Sequence, residues 1–241
     1  MSNSPATVRR VMSPVIEVAT ITRMNGSPTP APEPHSATLS KDWLPPPGLT
    51  GLALDENAKR NRRQKELIGR EAAKLCSSKE AVMIDGGSTT LQMCAHLAGL
   101  NLQVLTNSLL VVNALLAQKG TRVLVPGGQV FCEQNIILSA AVDDDMPRFH
   151  APKLFLGAAA IGTDGLIQAD FILVAAKRRL IDRAEQVIVL ADSSKFDGSS
   201  GQVVCGLEEI DIVITDAGIT PQSTEMLQRS GVKVIFAHEA P

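Results

Sequence analysis

The chain has 241 residues and a net charge of −2, with 44% hydrophobic and 20% charged residues. This length can bury a sizeable core, as one large or two small domains. The near-neutral charge excludes a global basic field that would by itself attract nucleic acid or anionic lipid. The sequence has no apolar run of about 18 residues and no basic-then-apolar leader, so we expect a cytoplasmic protein without a membrane partner.

The N-terminal region is rich in proline, with nine of the 14 prolines in the first 50 residues. Because proline removes a backbone donor and restricts φ, we predict an irregular arm over residues 1–54. A helix is predicted over residues 56–75. Its basic side chains are interpreted as a solvated helix face rather than a nucleic-acid contact. They are Lys59, Arg60, Arg62, Arg63 and Lys65.

From residue 81 onward, short β-branched runs alternate with helical patterns, which is typical of an α/β protein. Strands that are apolar throughout are covered on both faces, so we predict a Rossmann-like, largely parallel sheet with helices on both faces. The clearest helices are residues 108–118, 173–186 and 221–230. The predicted strands are residues 81–84, 102–105, 122–125, 153–156, 187–190, 210–214 and 232–236.

A loop of one acid, two glycines and three hydroxyls follows the first predicted strand. Glycine lets the backbone approach a ligand closely, and the N-terminus of the following helix presents unpaired N–H groups. Such a loop suits phosphate, although a hydroxyl that merely caps the helix explains the same residues. The loop consists of Asp85, Gly86, Gly87, Ser88, Thr89 and Thr90.

Further polar residues follow other predicted strands, at the edge of the sheet where open α/β proteins bind ligands. Asn107 and Gly128 follow the second and third strands, and Gly162 follows a run of small residues. Each of these is also compatible with an ordinary cap, turn or close packing. Near the fifth strand, Asp192 is placed to accept bonds from sugar hydroxyls and Lys195 to pair with a phosphate.

The four cysteines and four histidines are scattered along the sequence without the close spacing that metal or redox sites use. We therefore expect the cysteines to be small core residues in a reducing compartment. No metal site and no cofactor are predicted.

The ordered set IDGGSTT, LTNS, VPGGQ, FLGAAAIG, DGL, LADSSKF and VITD resembles the effector-binding domain of the DeoR family of bacterial transcription regulators. The segments QVVCGLEEIDIVITDAGI and FHAPKLFLGA most resemble the branch that includes the L-ascorbate utilisation repressor. The resemblance implies the fold shared by ribose-5-phosphate isomerase, glucosamine-6-phosphate deaminase and coenzyme A transferases. It also implies a sensor domain over residues 55–241 that binds a phosphorylated sugar without chemistry, in a dimer or tetramer.

The resemblance also implies site residues. The phosphate loop runs from Gly87 to Thr90, with Asp85 at its entrance. The other matching pocket positions are Asn107, Gly128, Gly162, Lys177, Asp192 and Lys195.

Two departures from the family pattern are present. Ala160 stands where glycine is common, and only ITRMNGSP, within the arm, resembles the end of a helix-turn-helix module. We therefore expect specific binding to operator DNA only from a form with an intact helix-turn-helix.

Two other classes of function remain open. A sugar-phosphate isomerase or deaminase of the same fold would need a general base and a second acid or base, and no such partner accompanies Asp85 or Asp192. A purely structural protein would have no use for glycines and hydroxyls at several strand ends.

Overall fold

The structure is a computed structural model that describes residues 59–138, 149–196 and 201–239. The predicted Pro-rich arm and the ITRMNGSP segment lie outside the described residues. The complete helices are α1 (Arg62–Ala73), α2 (Ser88–Cys94), α3 (Leu109–Leu116), α4 (Phe171–Ile181) and α5 (Pro221–Arg229). The strands are β1 (Ala81–Ile84), β2 (Gln103–Leu105), β3 (Arg122–Leu124), β4 (Gln129–Phe131), β5 (Ile136–Leu138), β6 (Ala151–Gly157), β7 (Ala160–Gly162), β8 (Gly165–Gln168), β9 (Ala184–Leu190), β10 (Gln202–Cys205), β11 (Ile212–Asp216) and β12 (Lys233–Ala237).

A seven-stranded sheet organises the described residues, in the order β12-β11-β9-β6-β1-β2-β3. Every neighbouring pair in it is parallel. The seven strands predicted from the sequence are these seven strands, with ends that differ by a few residues. The prediction of a largely parallel α/β sheet is confirmed.

Helices cover both faces of this sheet, and the strand residues alternate between two cores. Val82 and Ile84 of β1 belong to the core beneath α1, α2 and α3. Met83, between them, belongs to the opposite core, which includes Leu180 of α4 and Leu227 of α5. Since successive side chains of a strand point to opposite faces, strands buried on both sides must be apolar throughout.

One predicted boundary is wrong, because residues 184–186 form the start of β9 and not the end of a helix. Helix α4 ends at Ile181, and β9 pairs with β6 from Ala184 onward. The local pattern favours helix, but backbone pairing with β6 satisfies these residues in the sheet, and tertiary context overrides propensity.

Two small antiparallel sheets were not predicted from the sequence. One has the order β10-β8-β7, and the other is the hairpin of β4 and β5. The β7–β8 turn needs glycine at Gly165, where φ is +118° and an added Cβ would lie only 2.0 Å from the carbonyl oxygen of Cys205. Three-residue strands with partly exposed side chains, such as β4, carry little periodic signal.

Within the described ranges, no helix is both long and apolar enough to cross a membrane. Three of the four cysteines, Cys76, Cys94 and Cys205, are buried and unpaired as predicted, whereas Cys132 is only half-buried. Across the same part of the chain, no cluster of three or more histidine, cysteine, aspartate or glutamate side chains has the arrangement of a metal site.

Candidate functional site

Several of the predicted site residues follow strands near the point where the strand order of the sheet reverses. From β1 the chain moves outward through β2 to β3, and it then returns to place β6 on the other side of β1. Ligands of open α/β sheets bind in the crevice outside the strands at this switch point. Asp85 follows β1 directly, and Gly157 is the last residue of β6.

A buried ion pair between Asp85 and Lys177 lies at this switch point. Lys177 extends from α4, and its Nζ contacts Asp85 Oδ2 and donates to the carbonyl oxygen of Gly157 at 2.8 Å. The backbone N–H of Gly157 donates to the same carboxylate oxygen at 3.1 Å. The two charged side chains are only 5% and 4% exposed. Lys177 therefore reaches the carboxyl edge of the sheet, where Asp85 neutralises its charge.

Thr90 closes the loop after β1 on itself. Its Oγ1 accepts from the N–H of Gly87 at 2.8 Å, and it lies 2.8 Å from the Asp85 carbonyl oxygen, to which it donates. Thr90 is fully buried. The expectation that this hydroxyl serves as a phosphate donor is therefore not met, because its hydrogen is used inside the loop.

The glycines of this loop allow close packing of the protein on itself. A Cβ on Gly86 would lie 2.9 Å from Cβ of Ser108. A Cβ on Gly157 would lie 3.4 Å from Cα of Gly87 and 3.5 Å from Asp85 Oδ2. Glycine at these positions thus lets the loop after β1 contact both the end of β6 and the start of α3.

Ser88 and Thr89 are the loop residues that remain as donors. They are the first two residues of α2, and the helix cap is Gly87 rather than either hydroxyl residue. The first N–H groups of a helix have no intrahelical acceptor. The backbone here therefore offers donors toward the carboxyl edge of the sheet.

Asn107 follows β2 and is buried, with 2% of its surface exposed. Its side-chain Oδ1 has no hydrogen-bond partner among the described residues. Its backbone oxygen accepts from the N–H of Ile137 in β5 at 2.8 Å. The side chain thus presents a buried polar atom that the described protein does not satisfy.

The β4–β5 hairpin spans the region between Asn107 and α4, and the sequence patterns do not predict it. Ser108 forms an isolated antiparallel bridge with Ile136. At the other end, Nε2 of Gln134 donates to Oδ2 of Asp170, which caps α4, at 2.6 Å. Gly128, a predicted site residue, is exposed at the entrance to this hairpin with φ +138°.

Asp192 follows β9 and is 1% exposed. Its Oδ1 accepts from Nδ2 of Asn61 at 2.7 Å and from Oγ of Ser194 at 2.5 Å. Its Oδ2 has no partner among the described residues. Asp192 therefore caps the turn of residues 193–195, as the simpler interpretation of the motif held, and it also retains one buried acceptor oxygen.

Two lysines lie near Asp192, and one was misjudged from the sequence. Lys65, interpreted as part of a solvated face, is 1% exposed. Burial lowers the pKa of Lys65, the Asp192 carboxylate opposes that shift, and the charge of Lys195 adds to it. Lys65 lies on the buried face of α1 together with Ile68 and Ala72. Because its neighbours in sequence are basic and exposed, the sequence pattern did not indicate this burial. Lys195 itself is half-buried.

One further candidate has a structural position away from these contacts. Gly162 lies at the end of β7, paired with Gly165 across the β7–β8 turn. The glycine that touches the Asp85–Lys177 pair is Gly157, which the sequence analysis did not single out. Its place at the end of a long apolar strand is the only signal that could have identified it.

Residues 60–217 match the family described as the DeoR C terminal sensor domain. The chain belongs to the DeoR family. The HTH-type transcriptional repressor GlcR of Bacillus subtilis (strain 168) is 32% identical over 177 residues, which cover 73% of this chain and 68% of GlcR. A putative aga operon transcriptional repressor of Escherichia coli O157:H7 is 30% identical, over 78% of this chain and 70% of the relative.

A third DeoR-family relative matches most of the chain. The HTH-type transcriptional regulator UlaR of Shigella dysenteriae serotype 1 is 25% identical over 96% of this chain and 87% of its own length. These relatives are named as regulators of transcription and not as enzymes. The predicted family, and the prediction that the chain is a regulator rather than an enzyme, are confirmed.

The fold also has likenesses among solved structures. Ribose 5-phosphate isomerase A from Methanocaldococcus jannaschii shares 16% identity, with a TM-score of 0.43 over 56% of this chain and 55% of the isomerase. The eIF2B beta subunit from Chaetomium thermophilum shares 15% identity, with a TM-score of 0.43 over 63% of this chain and 48% of that subunit.

Proposed function

We propose that residues 55–241 form the sensor domain of a DeoR-type repressor of a sugar utilisation operon, and that the domain binds a phosphorylated sugar at the carboxyl edge of the parallel sheet. The observation that carries this proposal is the pair of buried acceptor atoms, Asn107 Oδ1 and Asp192 Oδ2, that lack partners among the described residues. A buried polar atom without a partner costs free energy, so a site that keeps two of them at one edge is suited to a ligand that donates hydrogen bonds.

The phosphate is placed at the loop after β1, against the backbone N–H groups of Ser88 and Thr89. Asp85 and Lys177 neutralise each other there, so they hold the loop in position rather than supply net charge. A sugar hydroxyl then donates to Asp192, two strands away across β6. At about 4.8 Å per strand this separation is roughly 10 Å, which an extended sugar phosphate can bridge.

Lys195 is the half-buried cation of the loop after β9, and we assign it to the ligand's anionic or hydroxyl groups. Gly128 and Gly162 have weaker support, because they lie on hairpin ends. The remaining parts of the proposal come from the family: a cytoplasmic homo-oligomer, a dimer or tetramer, that contacts operator DNA only in a form with an intact helix-turn-helix.

A thermal-shift experiment tests the binding proposal with ribose 5-phosphate, glucosamine 6-phosphate and L-ascorbate 6-phosphate, each beside its unphosphorylated counterpart. A ligand at 100 times its dissociation constant stabilises the native state by about 2.7 kcal/mol. We expect at least one phosphorylated compound to raise the melting temperature far more than its free counterpart. Equal shifts for both forms, or none for any compound, would count against the proposal.

Substitution of Asp192 locates the sugar end of the site. Asp192→Asn keeps the size of the side chain and removes its charge, and it should reduce the ligand-dependent shift. Asp164→Asn is the matched control, because Asp164 is exposed in the β7–β8 turn.

A further inference from the structure

Asn61 joins the start of α1 to the proposed ligand site. Its Nδ2 donates to Asp192 Oδ1 at 2.7 Å and lies 3.1 Å from Oγ of Ser194. These residues are more than 130 positions apart in sequence. The contact is therefore a tertiary link between the first complete helix and the loop after β9.

The backbone of Asn61 also holds the helix start. Asn61 has φ 51° and ψ 35°, a left-handed conformation that asparagine adopts more readily than most residues. Its carbonyl oxygen accepts from the N–H of Lys65 at 3.0 Å, the first turn of α1. One residue thus fixes the helix start through its backbone and contacts Asp192 through its side chain.

Helix α1 is packed firmly on the sheet beyond this first turn. Ile68 and Ala72 are fully buried in the core that also contains Ile214. Near its middle, Arg70 donates to the carbonyl oxygen of His238 at 2.6 Å. Because residues 1–61 precede α1 in the chain, any influence of this domain on them through the backbone passes through the first turn of this helix.

Asp192 can serve both the ligand and α1 because its two oxygens have different partners. Oδ1 accepts from Asn61 and Ser194, while Oδ2 is buried without a partner among the described residues. Oδ1 also accepts from the backbone N–H of Ser194, at 3.3 Å. A hydroxyl that donates to Oδ2 would hold the second oxygen and so keep Oδ1 in place for Asn61.

We propose that the Asn61–Asp192 hydrogen bond couples ligand occupancy to the first turn of α1, so that a bound sugar hydroxyl tightens the start of the helix and thereby affects the chain before it. This inference rests on the proposed function, because it takes Asp192 as a ligand contact. It adds a positioning residue, Asn61, that touches no ligand. Coupling between two sites is reciprocal. If ligand binding stabilises the first turn of α1, then loss of that turn lowers ligand affinity by the same factor.

Hydrogen exchange tests the coupling directly. The ligand is whichever of ribose 5-phosphate, glucosamine 6-phosphate and L-ascorbate 6-phosphate raises the melting temperature. At saturation in the full chain, it should slow exchange at the amides of residues 65–68, the first that have acceptors within α1. The expected slowing is about fivefold or more, the lower end of typical coupling. Asn61→Gly removes the amide side chain, and glycine retains easy access to the left-handed backbone. This variant should still bind, with affinity reduced by the same factor, and should lose the ligand-dependent slowing.

Asn101→Gly is the matched control. Asn101 also has a positive φ, of 54°, and its Nδ2 bonds only locally, to the carbonyl oxygen of Gly99 at 3.1 Å. It should leave both ligand affinity and the exchange response unchanged. If Asn61→Gly responds like Asn101→Gly, the coupling is refuted while the binding proposal stands.

A ligand-free measurement separates the two proposals. In the absence of any sugar phosphate, Asp192→Ala removes the acceptor for Asn61 and should speed exchange over residues 65–68 without unfolding α5, which serves as an internal reference. Unchanged exchange in this variant overturns the coupling contact whatever the ligand results. If the exchange speeds up but none of the three sugar phosphates binds, the contact exists, the proposed function fails and the ligand coupling fails with it.

Discussion

The Asp85–Lys177 pair should be worth more to stability than any exposed ion pair of the domain. Lys177→Met keeps most of the aliphatic length and removes the ammonium group. It leaves a carboxylate that is 4% exposed with only the Gly157 N–H as a donor. Removal of one partner of a buried ion pair costs about 3–5 kcal/mol, because the remaining charge is buried without compensation.

The comparison variant is Arg229→Met. Arg229 pairs with Glu225 on α5, but these side chains are 77% and 60% exposed. Exposed pairs of this kind contribute about 0–1 kcal/mol, so this variant should remain within about 0.5 kcal/mol of the parent. The two substitutions thus remove a cation from a buried pair in one case and from a solvated pair in the other.

Urea unfolding followed by circular dichroism measures the difference. A stability change shifts the midpoint while the slope with denaturant stays constant. The double variant Asp85→Asn with Lys177→Met removes both charges, and it should recover part of the loss, with a coupling energy of about 0.5–3 kcal/mol. If Lys177→Met costs no more than Arg229→Met, or if the double variant shows no coupling, the pair does not hold the switch point together.

Three further predictions concern packing, thiols and pH. Gly69→Ala should destabilise the protein by about 1–3 kcal/mol in urea unfolding, because the new Cβ would lie 2.6 Å from the Met93 backbone nitrogen. This overpacking outweighs the gain in helix propensity, which is about 1 kcal/mol. A stabilised variant would show that α1 and α2 can separate. With a disulfide reagent at pH 8, Cys132 should react in the folded protein, and the three buried cysteines should react only after unfolding. Burial raises the pKa of Cys94 to about 12 and so keeps it as an unreactive thiol, and rapid reaction of Cys94 in the folded protein would contradict its burial. Hydrogen bonding from Arg178 lowers the pKa of Glu209, so the stabilisation it brings is present above the ordinary glutamate pKa of about 4.3 and is lost as pH falls through the folded value. Glu209→Gln should therefore be less stable than the parent at pH 7, and the difference in stability should shrink as the pH falls below about 4.3. A difference that stays constant as the pH falls would refute this account.

Much of the framework follows from local sequence pattern. Runs such as residues 81–84 are apolar at every position and alternate with helical patterns, which is typical of parallel strands covered on both faces, so the parallel sheet could be predicted. The ordered loop motifs identify the family, and Asp85, Asn107 and Asp192 are found at strand ends because their positions in sequence place them there. These inferences need only the residues next to one another in the chain.

The use made of each side chain was decided by tertiary structure. Thr90 turns its hydroxyl inward to Asp85, and Lys65 is buried beside Asp192, although both residues look like available polar groups in the sequence. The contacts of Lys177 with Asp85 and of Asn61 with Asp192 join residues 92 and 131 positions apart. A local pattern specifies which face of an element is apolar. It does not specify which residue, distant in sequence, will contact a given charged side chain between the packed elements. That pairing depends on how helices and strands pack, and this packing decides which polar atoms bond within the protein and which, such as Asn107 Oδ1 and Asp192 Oδ2, have no partner among the described residues.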